Sequence, residues 1–296
     1  MSISSFIEYL QFEKNYSLHT VTAYKKDLLR FQEFCKENFN ETNIDNVPYT
    51  YIRSWIVEMV DTGLINRTIN RKISSLKTFY NFLIKTKQIK NNPLQNHKAL
   101  KVAKKVTVPF TSDEINLVIN ALQEEVDFKN VRNKLIVELL YSTGMRRAEL
   151  ISLKNSDVDL SNQLVKVLGK RNKERYIPLL NSVCKTIEKY NELKEELEVK
   201  DDHFLITEKG KKTYPTLVYR IINEYFSNVS SKVKKSPHII RHSFATHLIN
   251  EGADLNSVKE LLGHSSLAST QVYTHNSLNE LKQLYNRAHP RSNKNY

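Results

Sequence analysis

Residues 158–179 read VDLSNQLVKVLGKRNKERYIPL, and this stretch determines the fold class of the 296-residue chain. It contains three short β-prone runs, at 158–160, 164–168 and 175–179, separated by turn-forming and polar residues. Short runs at this spacing predict a small antiparallel sheet. Because apolar residues elsewhere recur mainly at helical spacing, the sequence predicts a mainly α protein with a small antiparallel β-sheet.

The chain before the sheet shows the apolar periodicity of four amphipathic helices. The four groups are Ile3, Phe6, Ile7 and Leu10; Val21, Tyr24, Leu28, Phe31 and Cys35; Ile52, Trp55, Ile56 and Met59; and Ile69, Ile73, Leu76, Tyr80 and Leu83. Asn91-Asn92-Pro93 ends the last helix, and Lys98 to Lys105 has four lysines and no helical period. Thr111 to Glu114 then forms a capping-box pattern that predicts the start of another helix.

These boundaries predict two domains, which is also what the length favours, since single cores seldom exceed roughly 250–300 residues. We expect a helical domain over residues 1–97, a basic linker over 98–108 and a second domain over 109–296. The basic stretch is interpreted either as a linker that follows nucleic acid or as a solvated loop without a role.

Composition indicates the class of binding partner and the cellular compartment of the protein. The formal net charge of +13, from 45 lysines and arginines against 32 acids, favours nucleic acid. No apolar run approaches the roughly 18 residues of a spanning helix, and the N-terminus lacks a signal-peptide pattern, so we expect a cytoplasmic protein. The two cysteines, Cys35 and Cys184, cannot build a disulfide framework or a cysteine metal site, and Cys35 continues an apolar stripe as a core residue.

Four segments place phosphate-compatible side chains at turns and helix starts. They are TGMRRAEL at 143–150, GKRNKER at 169–175, HIIRH at 238–242, and LGHS at 262–265, which leads to Tyr273. A phosphodiester repels a nucleophile and gains negative charge in its transition state, so a catalyst without metal needs fixed cationic donors. Arg146 and Arg241 suit that role, because a guanidinium group binds two oxygens at once and remains charged.

In this order and spacing the segments resemble the catalytic signature of the tyrosine recombinase (phage integrase) family: an arginine, a hairpin lysine, an HxxR pair, a second histidine and a tyrosine. The matching positions are Arg146, Lys170, His238, Arg241, His264 and Tyr273. The resemblance spans nearly the whole chain, because the N-terminal helices resemble the family's SAM-like core-binding domain, with a YxxxLxxF pattern at residues 24–31. The closing AHPR at 288–291 resembles the Xer subgroup.

The resemblance implies a C-shaped, two-domain DNA clamp that exchanges strands through a 3′-phosphotyrosyl intermediate and a Holliday junction, with no metal or nucleotide cofactor. Tyr273 is then the nucleophile. Lys170 is the general acid, His238 the proton acceptor or organiser and His264 a hydrogen-bond donor to the phosphate. Glu149, one helical turn after Arg146, is expected to orient Arg146 or His238.

Further basic residues are candidates for DNA contact. They are Arg67, Arg71, Lys72 and Lys77 on the solvent side of the last bundle helix, and Arg171, Lys173 and Arg175 in or near the hairpin turn. The alternative is an ordinary solvated face. Arg171 stands where many relatives have glycine, which predicts either altered flexibility of the turn or an added DNA contact.

The tail from Leu278 to Ala288 has Leu281, Leu284, Tyr285 and Ala288 at helical spacing. Such a helix either covers the catalytic core or, as the resemblance implies, couples neighbouring subunits. The family implies a homo- or hetero-tetramer on two double-stranded DNA sites, acting in chromosome dimer resolution at segregation and cell division, with a DNA translocase as a further partner.

Three alternative functions share features of this sequence: a phage or transposon integrase of the same family, an architectural DNA-binding protein without catalysis, and a metal-dependent nuclease. The complete set of six signature residues opposes the architectural protein. His238, His242 and His247 suggest a metal cluster by their helical spacing, but Arg241 among them would place a cation beside the metal. We therefore expect His242 and His247 to be packing or hydrogen-bonded helix residues.

Overall fold

The computed structural model describes residues 2–103, 107–122, 127–169, 173–199, 201–232, 234–263, 285 and 287–292. The chain divides into two compact units, Met1–Lys105 and Val106–Tyr296, and each unit has its own hydrophobic core. Within the described ranges, no helix combines the length and the apolar composition needed to cross a lipid bilayer. The predicted fold class, mainly α with a small antiparallel sheet, is confirmed.

The first unit is helical. It contains α1 (Ser2–Glu8), which continues into a π-helical turn (Tyr9–Glu13), then α2 (Leu18–Phe39), α3 (Tyr49–Asp61) and α4 (Asn66–Lys85). The apolar stripes meet in one core, where Phe31 and Trp55 pack ring against ring at 5.0 Å and Cys35 is fully buried. Ser17 caps α2 by accepting a hydrogen bond from the Thr20 backbone N–H. The predicted helical bundle is therefore confirmed.

A buried carboxylate organises the basic face of α4. Asp27 is 2% exposed and accepts hydrogen bonds from the side chains of Arg71, Lys72 and Ser75. Burial alone would raise the pKa of Asp27, but these hydrogen bonds, the one from Arg71 first, hold it below its ordinary value. Lys72 is partly buried beside Asp27, with 18% of its side chain exposed, so it is not fully on the expected solvent side; the buried carboxylate requires a charged partner.

The segment that follows α4 is attached to the first unit. Leu100 packs against the core, its backbone N–H donates to the Asn70 side-chain oxygen, and the Asn70 amide donates back to the Leu100 carbonyl. The Asn66 amide donates to the Lys101 carbonyl at 2.8 Å. Residues 100 and 101, which lie within the segment 98–108 expected to be a linker, are therefore held by two asparagines of α4.

The second unit packs helices around a three-stranded sheet. Its elements are α5 (Ser112–Ala121), α6 (Phe128–Thr143), α7 (Arg147–Ser152), β1 (Val158–Asp159), β2 (Leu164–Leu168), β3 (Glu174–Pro178), α8 (Asn181–Glu195), α9 (Pro215–Val229), α10 (Pro237–Asn250) and α11 (Leu255–Leu262). The sheet has the antiparallel order β1-β2-β3, with Val167 opposite Arg175. Thr111 and Glu114 form the predicted capping box at α5.

The described part of the C-terminal tail covers the core of its own unit. Tyr285 is fully buried and donates a hydrogen bond of 2.7 Å to the Ser142 carbonyl. Ala288 and His289 are buried beside it, and Arg291 forms an ion pair with buried Glu138 at 3.7 Å. Of the two uses expected for the tail, these residues follow the first; Leu281 and Leu284 lie outside the described residues.

Candidate active site

One carboxylate fixes the first signature arginine. Arg146 immediately precedes α7, and its backbone N–H donates to Oε2 of Glu149 at 2.7 Å. Its guanidinium Nη1 donates to Oε1 of the same carboxylate at 2.7 Å. Glu149 therefore both caps the start of the helix and orients the Arg146 side chain. That side chain is 32% exposed, so it remains accessible to a ligand.

Gly144 brings the end of α6 against α10. It has φ +58°, the left-handed conformation that commonly ends a helix. A methyl group at this position would lie 2.3 Å from Cδ1 of Phe244 on α10. Both the backbone conformation and the close approach require glycine, and the approach brings the turn before Arg146 next to the helix that carries Arg241.

Two helix ends hold Arg241 in place. It is 8% exposed, and its Nη1 donates to the Gly144 carbonyl at 2.5 Å and its Nη2 to the Leu262 carbonyl at 2.7 Å. These carbonyls lie at the C-terminal ends of α6 and α11, where main-chain oxygens lack helical partners and carry partial negative charge. Burial, and after it repulsion from Arg146, lowers the pKa of Arg241 to about 10, so the group remains charged at neutral pH.

Arg175 is part of the same cluster. Its Nη2 and Nη1 donate to the two oxygens of Glu149 at 2.8 and 3.3 Å, and its Nε donates to the Leu261 carbonyl at 2.9 Å. Only 5% of the residue is exposed. The alternative of a solvated charge is therefore wrong for Arg175: successive strand residues point to opposite faces, so Arg175 shares the buried face of β3 with Ile177.

The cluster carries an excess of positive charge. Arg146, Arg175 and Arg241 surround Glu149, so three guanidinium groups face one carboxylate. Burial alone would raise the pKa of Glu149, but the hydrogen bonds and charge of Arg175, together with the backbone and side-chain hydrogen bonds of Arg146, hold it below its ordinary value. Two uncompensated positive charges remain, which suits an anionic group with several oxygens, such as a backbone phosphate.

The histidines are arranged differently. His238 is exposed on α10, three residues before Arg241, and His242 is exposed one turn later. His247 is partly buried and shares a hydrogen bond of 2.9 Å with the Tyr141 hydroxyl. In the part of the chain that the structure describes, no three His, Cys, Asp or Glu side chains are grouped to hold a metal ion.

Lys170, Arg171, His264 and Tyr273 lie outside the described residues. The chain positions next to two of them are described. Gly169, before Lys170, donates its N–H to the Lys173 carbonyl at 2.8 Å. Gly263, before His264, ends α11 with φ +63°, and a methyl group there would lie 3.1 Å from Nη1 of Arg175. Lys173 itself is exposed.

Sequence reasoning missed the buried position of Arg175 and the main-chain carbonyls that hold the arginines. The signal for Arg175 was available, since alternation along β3 places it on the same face as Ile177. The carbonyl acceptors of Gly144, Leu261 and Leu262 carry no signal in side-chain type, because every residue has a main-chain oxygen. Only the positions of the two helix ends identify them.

Known proteins are similar in sequence to this chain over both of its units. The profile of the Phage integrase family matches residues 109–280, and that of the Phage integrase N-terminal SAM-like domain matches residues 3–87. Tyrosine recombinase XerC of Bacillus pumilus is 40% identical, with 97% of this chain and 95% of the relative covered. Tyrosine recombinase XerC of Chlorobaculum parvum is 36% identical, with 97% and 94% covered.

Solved structures share the fold. The XerH site-specific recombinase bound to palindromic difH substrate matches with a TM-score of 0.71 at 23% identity, covering 95% of this chain and 83% of that chain. The Tn1549 transposon integrase in complex with transposon right end DNA matches with a TM-score of 0.70 at 21% identity, covering 95% and 98%. At these identities the likeness establishes the architecture alone.

Proposed function

This chain belongs to the phage integrase family and is a Xer-type tyrosine recombinase, a site-specific DNA recombinase, and from that premise we propose how it cuts DNA and what it does in the cell. Tyr273 cleaves each strand by forming a 3′-phosphotyrosyl bond, and strands are exchanged through a Holliday junction. The cellular task is resolution of chromosome dimers at segregation. The XerC name of the curated relatives favours this task over that of a phage or transposon integrase.

The observation that carries the proposal is the convergence of Arg146 and Arg241 beside Glu149. Arg241 is fixed by two main-chain carbonyls, and Arg146 is fixed by a carboxylate while about a third of its side chain stays accessible. Donors that are already oriented stabilise developing charge without reorganising during the reaction. A scissile phosphate beside Arg146 would receive that stabilisation on its non-bridging oxygens.

The proposed reaction is a pair of transesterifications. The Tyr273 oxygen attacks phosphorus, the bond from phosphorus to the 5′ oxygen breaks, and the phosphate stays on the enzyme as a 3′ ester. His238 accepts the phenolic proton, and Lys170 donates a proton to the departing 5′ oxygen, which leaves as a hydroxyl. His264 donates a hydrogen bond to the phosphate. The 5′ hydroxyl of the partner strand then attacks the ester, reverses the proton transfers and releases Tyr273, so no nucleotide is consumed.

The wider proposal concerns assembly. The helical and catalytic units close around the DNA site as a clamp, and four subunits, identical or of two related kinds, act on two sites in the cytoplasm. A cell-division DNA translocase activates the complex. Exposed Arg67, Lys77 and Lys173 contact DNA, together with Arg171, whereas Arg71 and Lys72 first bind Asp27. The sequence relatives and the basic charge of the chain support a DNA partner.

The test uses nicked duplexes taken from the chromosome-terminus region of the host. Loss of the short 5′ fragment at the nick traps a covalent complex, which is detected as an adduct that survives SDS. We expect the adduct with the wild type and with the control Tyr219→Phe, whose tyrosine is exposed on α9, but not with Tyr273→Phe. Formation of the adduct should continue in a chelator, whereas a metal-dependent nuclease would stop.

Adduct formation by Tyr273→Phe would contradict the role of the tyrosine. An architectural protein would retard the same duplexes in a gel but form no adduct with any variant. The two alternatives to a recombinase, binding without catalysis and metal-dependent cleavage, are therefore separated from it by one set of reactions.

A further inference from the structure

We propose that Arg175 is a positioning residue of the active site, which neutralises Glu149 and thereby leaves the charge of Arg146 available to the phosphate. The inference rests on the proposed function, because it assigns Arg175 an effect on the same cleavage step. It replaces the expectation that Arg175 contacts DNA directly.

The hydrogen bonds of Glu149 are divided between the two arginines. Each carboxylate oxygen accepts from both: Oε1 from Nη1 of Arg146 and Nη1 of Arg175, and Oε2 from the Arg146 backbone N–H and Nη2 of Arg175. Arg175 therefore binds the carboxylate through both branches of its guanidinium fork, the geometry that gives strong ion pairs. Arg146 uses one branch and keeps a more exposed side chain.

The pairing of Glu149 determines how much positive charge Arg146 can offer to a phosphate. Both Arg175 and Glu149 are about 6% exposed in their side chains, and such pairs are weakly screened. Without Arg175, the buried carboxylate would have Arg146 as its nearest cation, and that pair would be neutral. The positive charge that Arg146 offers to a phosphate would fall, and Glu149 would take up a proton more easily.

Arg175 also connects the segments that enter the site. Its Nε bond to the Leu261 carbonyl ties β3 to the end of α11. A methyl group on Gly263 would lie 3.1 Å from its Nη1, and one on Gly169 would lie 3.5 Å from the same atom. Gly169 and Gly263, the residues that precede Lys170 and His264 in the chain, therefore both lie close to Arg175. Glycine at both positions lets the main chain approach the guanidinium.

A direct role in DNA binding does not fit these observations. A DNA-contacting arginine needs donors that reach solvent, whereas the donors of Arg175 bind Glu149 and Leu261 inside the protein and 5% of the residue is exposed. A purely structural role predicts lower stability alone. The positioning role predicts, in addition, a change in the cleavage rate and in its pH dependence.

The test compares Arg175→Gln and Arg175→Lys with Arg132→Gln, which removes another buried arginine of the same unit outside this cluster. Gel retardation measures DNA binding, and adduct formation on a nicked duplex under single-turnover conditions measures cleavage. We expect Arg175→Gln to bind DNA within about threefold of the wild type and to cleave at least about tenfold more slowly. Arg175→Lys, which retains the charge, should recover part of the rate.

The pH profile separates positioning from structure. As pH falls from about 8 to about 6, the cleavage deficit of Arg175→Gln relative to the wild type should narrow, because Glu149 becomes protonated at a higher pH when its main partner is lost and a neutral Glu149 no longer offsets the charge of Arg146. Arg132→Gln should keep the wild-type profile whatever its melting temperature. Wild-type rates and profile in Arg175→Gln would overturn the inference, as would a rate loss without any change in profile.

A double variant covers the case in which Arg175→Gln folds poorly. Replacing Glu149 by Gln as well removes the unpaired carboxylate. The cleavage rate of the double variant should therefore be higher than the rate obtained by multiplying the separate effects of the two substitutions. Simple multiplication of the two effects would count against the proposal. Failure of the proposed function looks different: the wild type would form no adduct, or Tyr273→Phe would still form one.

Discussion

Replacement of Arg241 by lysine is the substitution whose effects follow most directly from the geometry. Arg241 spans two acceptors, with Nη1 on the Gly144 carbonyl and Nη2 on the Leu262 carbonyl. A lysine keeps the charge but has a single nitrogen on a flexible stem, so it cannot reproduce the planar fork. We expect the Arg241→Lys variant to keep one of these bonds and to lose the fixed orientation of its charge.

The structure sets the size of the two effects. A buried carbonyl left without a partner costs about 1–3 kcal/mol, which corresponds to a fall in melting temperature of roughly 2–12 °C for a unit of this size. Loss of one oriented donor to the transition state costs about 10²–10³ in rate, or about 2.7–4 kcal/mol. The loss of activity should therefore exceed what partial unfolding explains.

The assay is single-turnover adduct formation on the nicked duplex, at a temperature well below the melting transition of every variant. Gel retardation on the same duplex shows whether binding is intact. Arg147→Lys is the matched control, since Arg147 is exposed at the start of α7 and should tolerate the change. Cleavage by Arg241→Lys at a rate near that of the wild type would refute the argument that the guanidinium geometry is required.

Two further predictions concern the covering of the core by the C-terminal tail. Tyr285→Ala should lower the free energy of unfolding by about 3–5 kcal/mol, because it empties a fully buried site and removes the donor to the Ser142 carbonyl; an unchanged thermal melt would contradict this packing. Burial lowers the pKa of His289 from 6.5 to about 3, so below pH 6.5 the unfolded chain binds a proton that the folded chain excludes, and stability is lost as pH falls. Denaturant melts between about pH 7 and about pH 5 should show a smaller acid loss in His289→Phe than in the wild type, and equal losses would contradict the assignment. Burial raises the pKa of neighbouring Glu138, but Glu138 is present in both proteins, so the comparison isolates His289.

Much of the fold follows from local pattern. The apolar stripes of α2 and α4 predicted buried faces that include Phe31 and Leu76, and both residues are fully buried. The runs at 164–168 and 175–179 predicted strands that the structure forms at Leu164–Leu168 and Glu174–Pro178. These successes depend on periodicity, which is a property of neighbouring residues and needs no knowledge of distant parts of the chain.

The charged groups were harder to place. Buried Asp27 and partly buried Lys72 lie 45 residues apart, and neither position shows from its own sequence surroundings that the two side chains form an ion pair. From the sequence, Arg175 is expected to contact DNA or to be a solvated charge, and both expectations place it on the surface, whereas the alternation of β3 places it on the buried face. Pairing across the fold determines both cases, and one sequence does not display such pairing.

In the C-terminal tail, too, the sequence pattern predicts which residues are buried but not which surface they pack against. Helical spacing predicted an apolar face that includes Tyr285 and Ala288, and both are buried. The spacing does not distinguish a face that covers its own core from one that binds a neighbouring subunit, since either surface is apolar. The hydrogen bond from Tyr285 to Ser142 assigns that residue to its own unit.

The central claim is that one tyrosine becomes joined to DNA at a site built from Arg146, Arg241 and Glu149. The most direct measurement isolates the SDS-stable complex, digests its DNA with nuclease and its protein with trypsin, and sequences the modified peptide by mass spectrometry. We predict a nucleotide mass on Tyr273 and on no other residue. A nucleotide attached to a different side chain, or strand cleavage that leaves no modified peptide, would contradict the account.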